Sequence, residues 1–204
     1  MIKPKKGDLL ELRVDSLAYG GKGVSRYDGI IIFTERTIPG QLIKAKIIKD
    51  KKTFLEGKPI EVIEKSVHEE EPRCSHFQVC GGCKIQHLKY SEQLNQKQNQ
   101  ILEIFKHLGG IKLDFKSTIK SSPRKYQYRN KMEFSFSNQR WIVKEGEIKK
   151  SLDFALGLHP QKRYDKVVDI DQCEIQSEEG NTILNIVRSF CKRNNLEPYN
   201  IKEH

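Results

Sequence analysis

The sequence predicts an α+β chain in which a small five-stranded barrel precedes a cysteine-bearing loop, a helix and a mixed α/β segment. Three observations carry this expectation. Five short apolar runs separated by glycine- and proline-marked turns fill the first 66 residues, the spacing of a closed β structure. After Tyr90 the apolar period lengthens from two residues to that of a helix. From about Ile111 alternation returns, and a second helical stretch begins near Ser177.

In the barrel, Leu9, Leu10, Leu12 and Val14 make the first strand, ended by Tyr19-Gly20-Gly21-Lys22-Gly23. Residues 24–27 and 30–33 flank Asp28-Gly29, a pair that tolerates the positive φ a two-residue hairpin turn requires. Pro39-Gly40 marks the next turn. Residues 42–48 alternate apolar positions with Lys44 and Lys46, a half-buried strand with a basic outer face, and residues 54–63 supply the fifth strand. Strands this short and this many suggest a barrel of the oligonucleotide-binding kind. Lys22, Lys44 and Lys46, with Tyr19, Tyr27 and Phe33 near the turns, suit tracking of an RNA backbone and stacking of bases. The other reading makes the aromatics core and the lysines solvated.

Glu69-Glu70-Glu71-Pro72 reads as an acidic linker into Cys74-Ser-His-Phe-Gln-Val-Cys80-Gly-Gly-Cys83, a loop without apolar periodicity. Three thiols within ten positions of a lysine-rich chain with no secretory leader point to a metal or cluster rather than to disulfides. Zinc ligands usually come as two close pairs. A compact trio plus one distant thiol, Cys173, is closer to iron–sulfur ligation, and Gly81 and Gly82 would let backbone N–H groups approach the sulfurs. Zinc stays open on spacing, since His68, His76 or His87 could replace one thiolate.

Ser91 is expected to cap a helix over 91–108, with Leu94, Ile101, Ile104, Phe105 and Leu108 on its inward face, Gln93, Gln96, Gln98, Asn99 and Gln100 on its solvated side, and Gly109-Gly110 at its end. Residues 128–136 alternate as a strand that Asn138 and Gln139 could turn back through Trp141 and Val143; further strands are expected over 151–159 and 166–170. The last helix, 177–193, puts Ile183, Ile186, Val187, Phe190 and Cys191 on one face, Cys191 as a small core residue. Between residues 112 and 166, 14 Lys/Arg stand against 6 Asp/Glu. This second basic region, dense at Arg124, Lys125, Arg129, Lys131 and Arg140 with Tyr126, Tyr128 and Trp141 interleaved, looks like a nucleic-acid face.

The formal net charge of +10 over 204 residues favours a polyanionic partner. No apolar run follows Met1 and none approaches the ~20 residues of a membrane span, so the expected setting is the cytoplasm, without membrane contact, where thiols stay reduced.

The order of motifs is specific: a basic barrel, Cys-x5-Cys-Gly-Gly-Cys-x2-Gln-His, Tyr128-Arg129-Asn130-Lys131-Met132-Glu133-Phe134, then Leu156-Gly157-Leu158-His159 and Asp169-Ile170-Asp171-Gln172-Cys173. It resembles the cluster-containing branch of the RNA uracil-C5 methyltransferases, which methylates 23S ribosomal RNA. The resemblance implies a TRAM RNA-binding barrel over 1–66, a cluster loop and helix over 67–110, and a central RNA-binding domain over 111–204. It implies Cys74, Cys80, Cys83 and Cys173 as ligands of a [4Fe–4S] cluster, and a monomer whose partner is 23S rRNA. The candidate RNA contacts are Lys22, Tyr27, Lys44, Lys46, Arg124, Lys125, Tyr128, Arg129 and Lys131.

In that family an S-adenosylmethionine domain follows the central domain and supplies a glycine-rich cofactor loop, a glutamate base and the cysteine that activates uracil C5 by adding at C6. The sequence ends at His204 before these motifs. The expectation is therefore that the S-adenosylmethionine-binding domain is absent, that S-adenosylmethionine serves only the full-length protein, and that these 204 residues bind RNA and a cluster without methylating. Gly20-Gly21-Lys22-Gly23 joins barrel strands and opens no helix, so it is not a cofactor loop. The alternative is a stand-alone RNA-binding module with a zinc or iron–sulfur site.

Overall fold

The fold was analysed in a computed structural model that describes residues 3–114, 118–142 and 153–200. The chain divides into two units, one comprising Met1–Glu71 and Ile85–Ser121, the other Pro72–Lys84 and Ser122–His204.

In the first unit, β1 (Leu9–Arg13), β2 (Ser16–Leu17), β3 (Gly23–Tyr27), β4 (Ile30–Thr34), β5 (Leu42–Asp50) and β6 (Phe54–Glu64) form one sheet in the order β1-β5-β6-β4-β3-β2. All neighbours are antiparallel except β4 and β6. The sheet has six strands where five were expected, because the first run bends. β1 pairs with β5 up to Arg13↔Leu42, and β2 then pairs with β3. At the bend Val14 N–H donates to the Gln41 carbonyl at 2.9 Å and Asp15 N–H to that of Val24 at 2.8 Å. One stretch of chain thus lies on both ends of the strand order and closes the barrel, removing the unpaired edges an open sheet would expose.

Inside lie Leu12, Val14, Ile32, Ile43, Ala45, Ile47 and Leu55, the inward-facing members of the alternating runs. Asp28 (φ 48°) and Gly29 (φ 80°) form the expected tight turn. Pro59, which cannot donate to a ladder, lies opposite Ala45 beside a register shift between Lys44 and Ala45, the place a strand tolerates proline.

The helix α1 (Tyr90–Gly109) follows in the same unit and ends at Gly110 in the left-handed conformation, as glycine allows. Its N-cap is Lys89, with no side-chain hydrogen bond, so Ser91 is not the cap. The inward face is also not the one expected. Gln96 is the buried residue of α1; its Oε1 accepts from Leu17 N–H at 2.8 Å, and Gln100 Nε2 donates to the Leu17 carbonyl at 2.9 Å. Ile101, Ile104, Phe105 and Leu108 stay exposed. The two-residue β2 leaves backbone groups of Leu17 without ladder partners, and long amides satisfy them where leucines could not. The acidic linker is tied down as well: Glu69 bridges Leu88, and Glu70 N–H donates to the His87 carbonyl at 2.9 Å.

The second unit holds β7 (Ser135–Ser137), β8 (Ala155–Leu158) and β9 (Val168–Asp169) as an antiparallel sheet in that order, and α2 (Glu178–Arg193). The expected strand over 128–136 shortens to β7; upstream of it only Arg129 makes a bridge, to Gln176. Trp141 N–H donates to the Val167 carbonyl at 2.8 Å; Val143 and the start of the 151–159 run lie outside the described residues. Ser177 caps α2, accepting from Gly180 N–H at 3.2 Å. As in α1, the apolar stripe faces outward: Ile183, Ile186 and Phe190 are exposed, while Asn181, Leu184, Arg188 and Cys191 are buried. The core gathers Phe154, Leu156, Val168, Ile170, Ile175 and Leu184 around Cys80 and Cys173. The α+β expectation is corrected accordingly: two helices accompany nine strands among the described residues, and the architecture is largely β.

Gly157 fixes the spacing of the small sheet. A Cβ there would lie 1.9 Å from the Val168 carbonyl oxygen, a backbone atom of the neighbouring strand that cannot move without breaking the ladder. Gly157→Ala is expected to destabilise the second unit by about 2–3 kcal/mol, read as a lower urea midpoint.

Candidate cluster and nucleic-acid site

The cysteine loop belongs entirely to the second unit, as does Cys173. It is built from short turns: Phe77 N–H donates to the Cys74 carbonyl at 3.1 Å and Cys80 N–H to that of His76 at 3.0 Å. Its glycine end lies backbone to backbone against the turn after β8. Gly81 N–H donates to the His159 carbonyl at 3.0 Å, Cys80 bridges Pro160, and a Cβ on Gly81 would lie 2.7 Å from that same carbonyl oxygen. Any larger residue at 81 would lift the loop away.

Cys173 is held from the other side. Its N–H donates to Asn181 Oδ1 at 2.8 Å, and Asn181 Nδ2 donates to its carbonyl at 3.3 Å. Gln176 Nε2 donates to the same Oδ1 at 2.6 Å, so a buried amide in the first turns of α2 clamps the peptide of the distant cysteine. An ion pair joins the neighbours of two cysteines: Arg73 Nε lies 2.5 Å from Glu174 Oε2, with the guanidinium 5.2 Å from the Tyr126 ring centroid. Sequence reasoning missed both Asn181 and this pair; the signal was adjacency, since Arg73 precedes Cys74 and Glu174 follows Cys173.

The sulfurs come together electrostatically. Burial pushes the Cys74, Cys80 and Cys83 thiols up, Cys83 to about 11, and the neighbouring thiols Cys74, Cys80 and Cys173 add to the effect on Cys83 while Arg129 opposes it. Backbone N–H groups are aimed at sulfur: His76 and Glu174 at Cys74, and Gly82 at Cys80 over 3.3 Å. No disulfide joins the five cysteines, all of which are among the described residues. Among those residues no group of three or more His, Cys, Asp or Glu side chains is arranged to hold a metal ion. His68 and His87 fall in the first unit, His68 beside Glu92 at 4.0 Å and His87 buried, which lowers its pKa.

The Cys83 shift sets a pH dependence. Its folded pKa stands above the ordinary value of 9.0, so the folded state keeps the proton that the unfolded state releases first. That contribution is complete below about pH 9 and is lost as pH rises toward 11. Metal-free protein should therefore lose stability between those values, and Cys83→Ser should flatten the decline in a urea titration at stepped pH.

The basic candidates fall into distinct settings. Lys22 lies 3.1 Å from Glu56, which also meets Lys49 at 3.2 Å and is held below its ordinary pKa by both. Tyr27 packs against the barrel core. On β5, Lys44 has Glu11 and Glu61 as cross-strand neighbours, whereas Lys46 has Leu9 and Lys58, so positive charge on that face gathers at Lys46. Tyr19, 86% exposed, is the most open aromatic of the barrel turns. In the second unit Arg124, Lys125, Tyr128, Arg129 and Lys131 are all exposed. Arg129 N–H donates to the Ile175 carbonyl at 2.9 Å and Gln127 N–H to that of Glu174 at 3.1 Å. The basic segment is thereby laced to the residues that follow Cys173.

Comparison with known proteins places this geometry. Residues 3–60 match the TRAM domain family. An uncharacterized RNA methyltransferase of Chlorobaculum tepidum is 35% identical over 209 residues, covering 100% of this chain and 43% of the relative. A second, from Clostridium tetani, is 34% identical over 197 residues, covering 97% and 41%. The crystal structure of a Pyrococcus abyssi tRNA (uracil-54, C5)-methyltransferase matches with a TM-score of 0.61 at 19% identity, over 95% of this chain and 39% of that one, a likeness of fold. The chain thus spans less than half the length of the curated relatives it matches. The expected absence of an S-adenosylmethionine domain is corrected by the same figures: essentially the whole chain aligns within methyltransferases, and partial coverage of longer relatives does not show a domain to be missing. With a TRAM barrel at its start and uncharacterized RNA methyltransferases matching it from end to end, the chain belongs to the TRAM-bearing RNA methyltransferases.

Proposed function

We propose that this chain provides the RNA-binding and [4Fe–4S]-binding part of an S-adenosylmethionine-dependent 23S rRNA uridine C5-methyltransferase, acting as a cytoplasmic monomer. Cys74, Cys80, Cys83 and Cys173 would hold the cluster. The observation that carries this reading is the set of backbone N–H groups from His76, Glu174 and Gly82 directed at the sulfurs of Cys74 and Cys80, since hydrogen bonds to sulfur are a recurrent feature of iron–sulfur sites. The donor set also fits the group: Cys80 and Cys173 are buried and Cys74 and Cys83 half-buried, drawn from both segments of the unit, with the loop seated at Gly81.

When bound, the cluster supplies a covalent cross-link between the loop and the strand end at Cys173. The protein's own residues do the rest. The segment after Cys173 supports Gln127 and Arg129 through its carbonyls, so the basic run that meets RNA is positioned by the same residues that deliver the fourth thiol. The +10 charge and the exposed Arg124, Lys125 and Lys131 bind phosphate, which places steep salt dependence on affinity. The uridine assignment rests on the order of motifs; chemistry at C5 requires the target base to leave its stack.

Anaerobic purification followed by iron, sulfide and zinc analysis tests the cluster. About four iron and four acid-labile sulfide per chain are expected; one zinc without iron would sink this assignment. For the substrate, 23S rRNA from cells lacking the gene should lack a 5-methyluridine that wild-type rRNA carries, and an unchanged modification map would argue against it.

A further inference from the structure

We propose that the groove between the 127–136 segment and α2 receives one everted nucleobase of the bound RNA, with Asn130 as its reader. This rests on the reading that the chain binds RNA and adds a specific site to it. The groove encloses about 480 Å³ within the second unit, in the range of ~300–1,000 Å³ typical of small-ligand clefts and too small for a helix or hairpin. Met132, Phe134 and Phe136 contribute from the segment, Ile183 and Val187 from α2. Flat aromatic rings and a thioether suit the faces of a base.

The polar groups of the groove fit the edge of a base. Gln176 Nε2 is committed to Asn181, and Gln127 Nε2 to Glu178 Oε1 at 2.9 Å; each fixed amide keeps its Oε1 as an acceptor. Gly180 keeps the first of these in place, because a Cβ there would stand 3.1 Å from Gln176 Oε1. Asn130 is exposed at the groove with a donor and an acceptor in one plane, the pairing an amide offers to a base edge.

Charge selects the occupant. Arg129 lines the groove, none of its described lining residues is acidic, and Arg124, Lys125 and Lys131, the last paired with Glu133 at 2.8 Å, are exposed along the same stretch. Arg129 Nε donates to the Lys131 carbonyl at 3.2 Å, which orients its remaining donors for a phosphate. An apolar slot with amide readers and a basic approach matches a nucleotide, whose base is flat and whose backbone is anionic.

The test measures binding of labelled oligo(U), oligo(A), oligo(C) and oligo(G) RNA to the purified 204-residue chain over a salt series. Wild type is expected to rank the four. Asn130→Ala should weaken binding to the preferred oligomer roughly tenfold, flatten the ranking and leave the salt slope unchanged. Lys131→Ala should weaken all four alike and reduce the slope by about one. Ile183→Ser, at a position 60% exposed and so harmless to folding, should reproduce the Asn130→Ala loss. Wild-type ranking retained in both groove variants would overturn the pocket while leaving RNA binding intact; no RNA binding by wild type would instead overturn the reading beneath it. A change in sedimentation of Ile183→Ser with unaltered RNA affinity would assign the groove to a second copy of the chain and likewise overturn the proposal.

Discussion

Arg188→Ala is expected to destabilise the second unit by about 3–5 kcal/mol. Arg188 lies on the buried face of α2 and pairs with the buried Asp169 at the end of β9. Its guanidinium also donates to the carbonyls of Leu156, at 3.2 Å, and Ile170. Asp169 in turn accepts from Leu156 N–H at 3.1 Å and has Arg140 at 3.7 Å. Removing the guanidinium leaves the Ile170 carbonyl and most of a carboxylate's charge without compensation, while the Leu156 carbonyl keeps the Ile170 N–H at 3.1 Å. The loss comes from those stranded groups, not from the attraction itself, so the double variant Arg188→Met with Asp169→Asn should recover a large part of it. Trp141 is the single tryptophan and lies in this unit, so its fluorescence follows the relevant urea transition. A single variant within 1 kcal/mol of wild type would show that Arg140 already neutralises Asp169.

For the proposed cluster, Cys83→Ser is expected to remove most of the iron and to weaken RNA binding by tenfold or more. A hydroxyl is a poor ligand for iron that prefers thiolate, and Cys83 packs against the core that holds Cys80 and Cys173. Without the cross-link, the order of residues 173–176 rests on Asn181, the Arg73–Glu174 pair, the Arg129–Gln176 bridge and the burial of Ile175. The carbonyls of Glu174 and Ile175 that support Gln127 and Arg129 then fluctuate, and the exposed cations of that stretch must be ordered when RNA binds, which costs affinity. Iron content and RNA affinity should be measured on one preparation, with circular dichroism as the check on folding. A folded, iron-free variant that binds RNA like wild type would argue against the coupling.

What the sequence made legible follows from what local rules encode. The barrel strands, the Asp28-Gly29 turn, the end of α1 at Gly110 and the span of α2 all rest on period, turn chemistry and caps, which act over a few residues. The sidedness of the helices was not legible. A stripe such as Ile101, Ile104, Phe105 and Leu108 marks a face that water disfavours, but burial of Gln96 was decided by backbone groups of Leu17, 79 residues earlier. The 128–136 alternation failed as a strand for a related reason: its partner is a short run after Cys173, and one bridge at Arg129 does not make a ladder. At the candidate site the cysteines announced themselves by type, while the clamp on Cys173 came from an asparagine whose importance is purely a matter of place.

The four thiols also impose an order in time. Cys83 and Cys173 are ninety residues apart in the chain, and at ~5–20 residues per second of synthesis the first three thiols wait roughly 5–20 s for the fourth. Asn181, which fixes Cys173, emerges later still. The barrel, complete well before then, can fold ahead of the site. On the proposed ligand set, the trio would be open during that wait to oxidants and to any ion that accepts three sulfurs, so the route of manufacture, and not only the finished fold, would decide what is held. For the proposed cluster, slowed elongation between residues 84 and 173 should lower the iron content per purified chain.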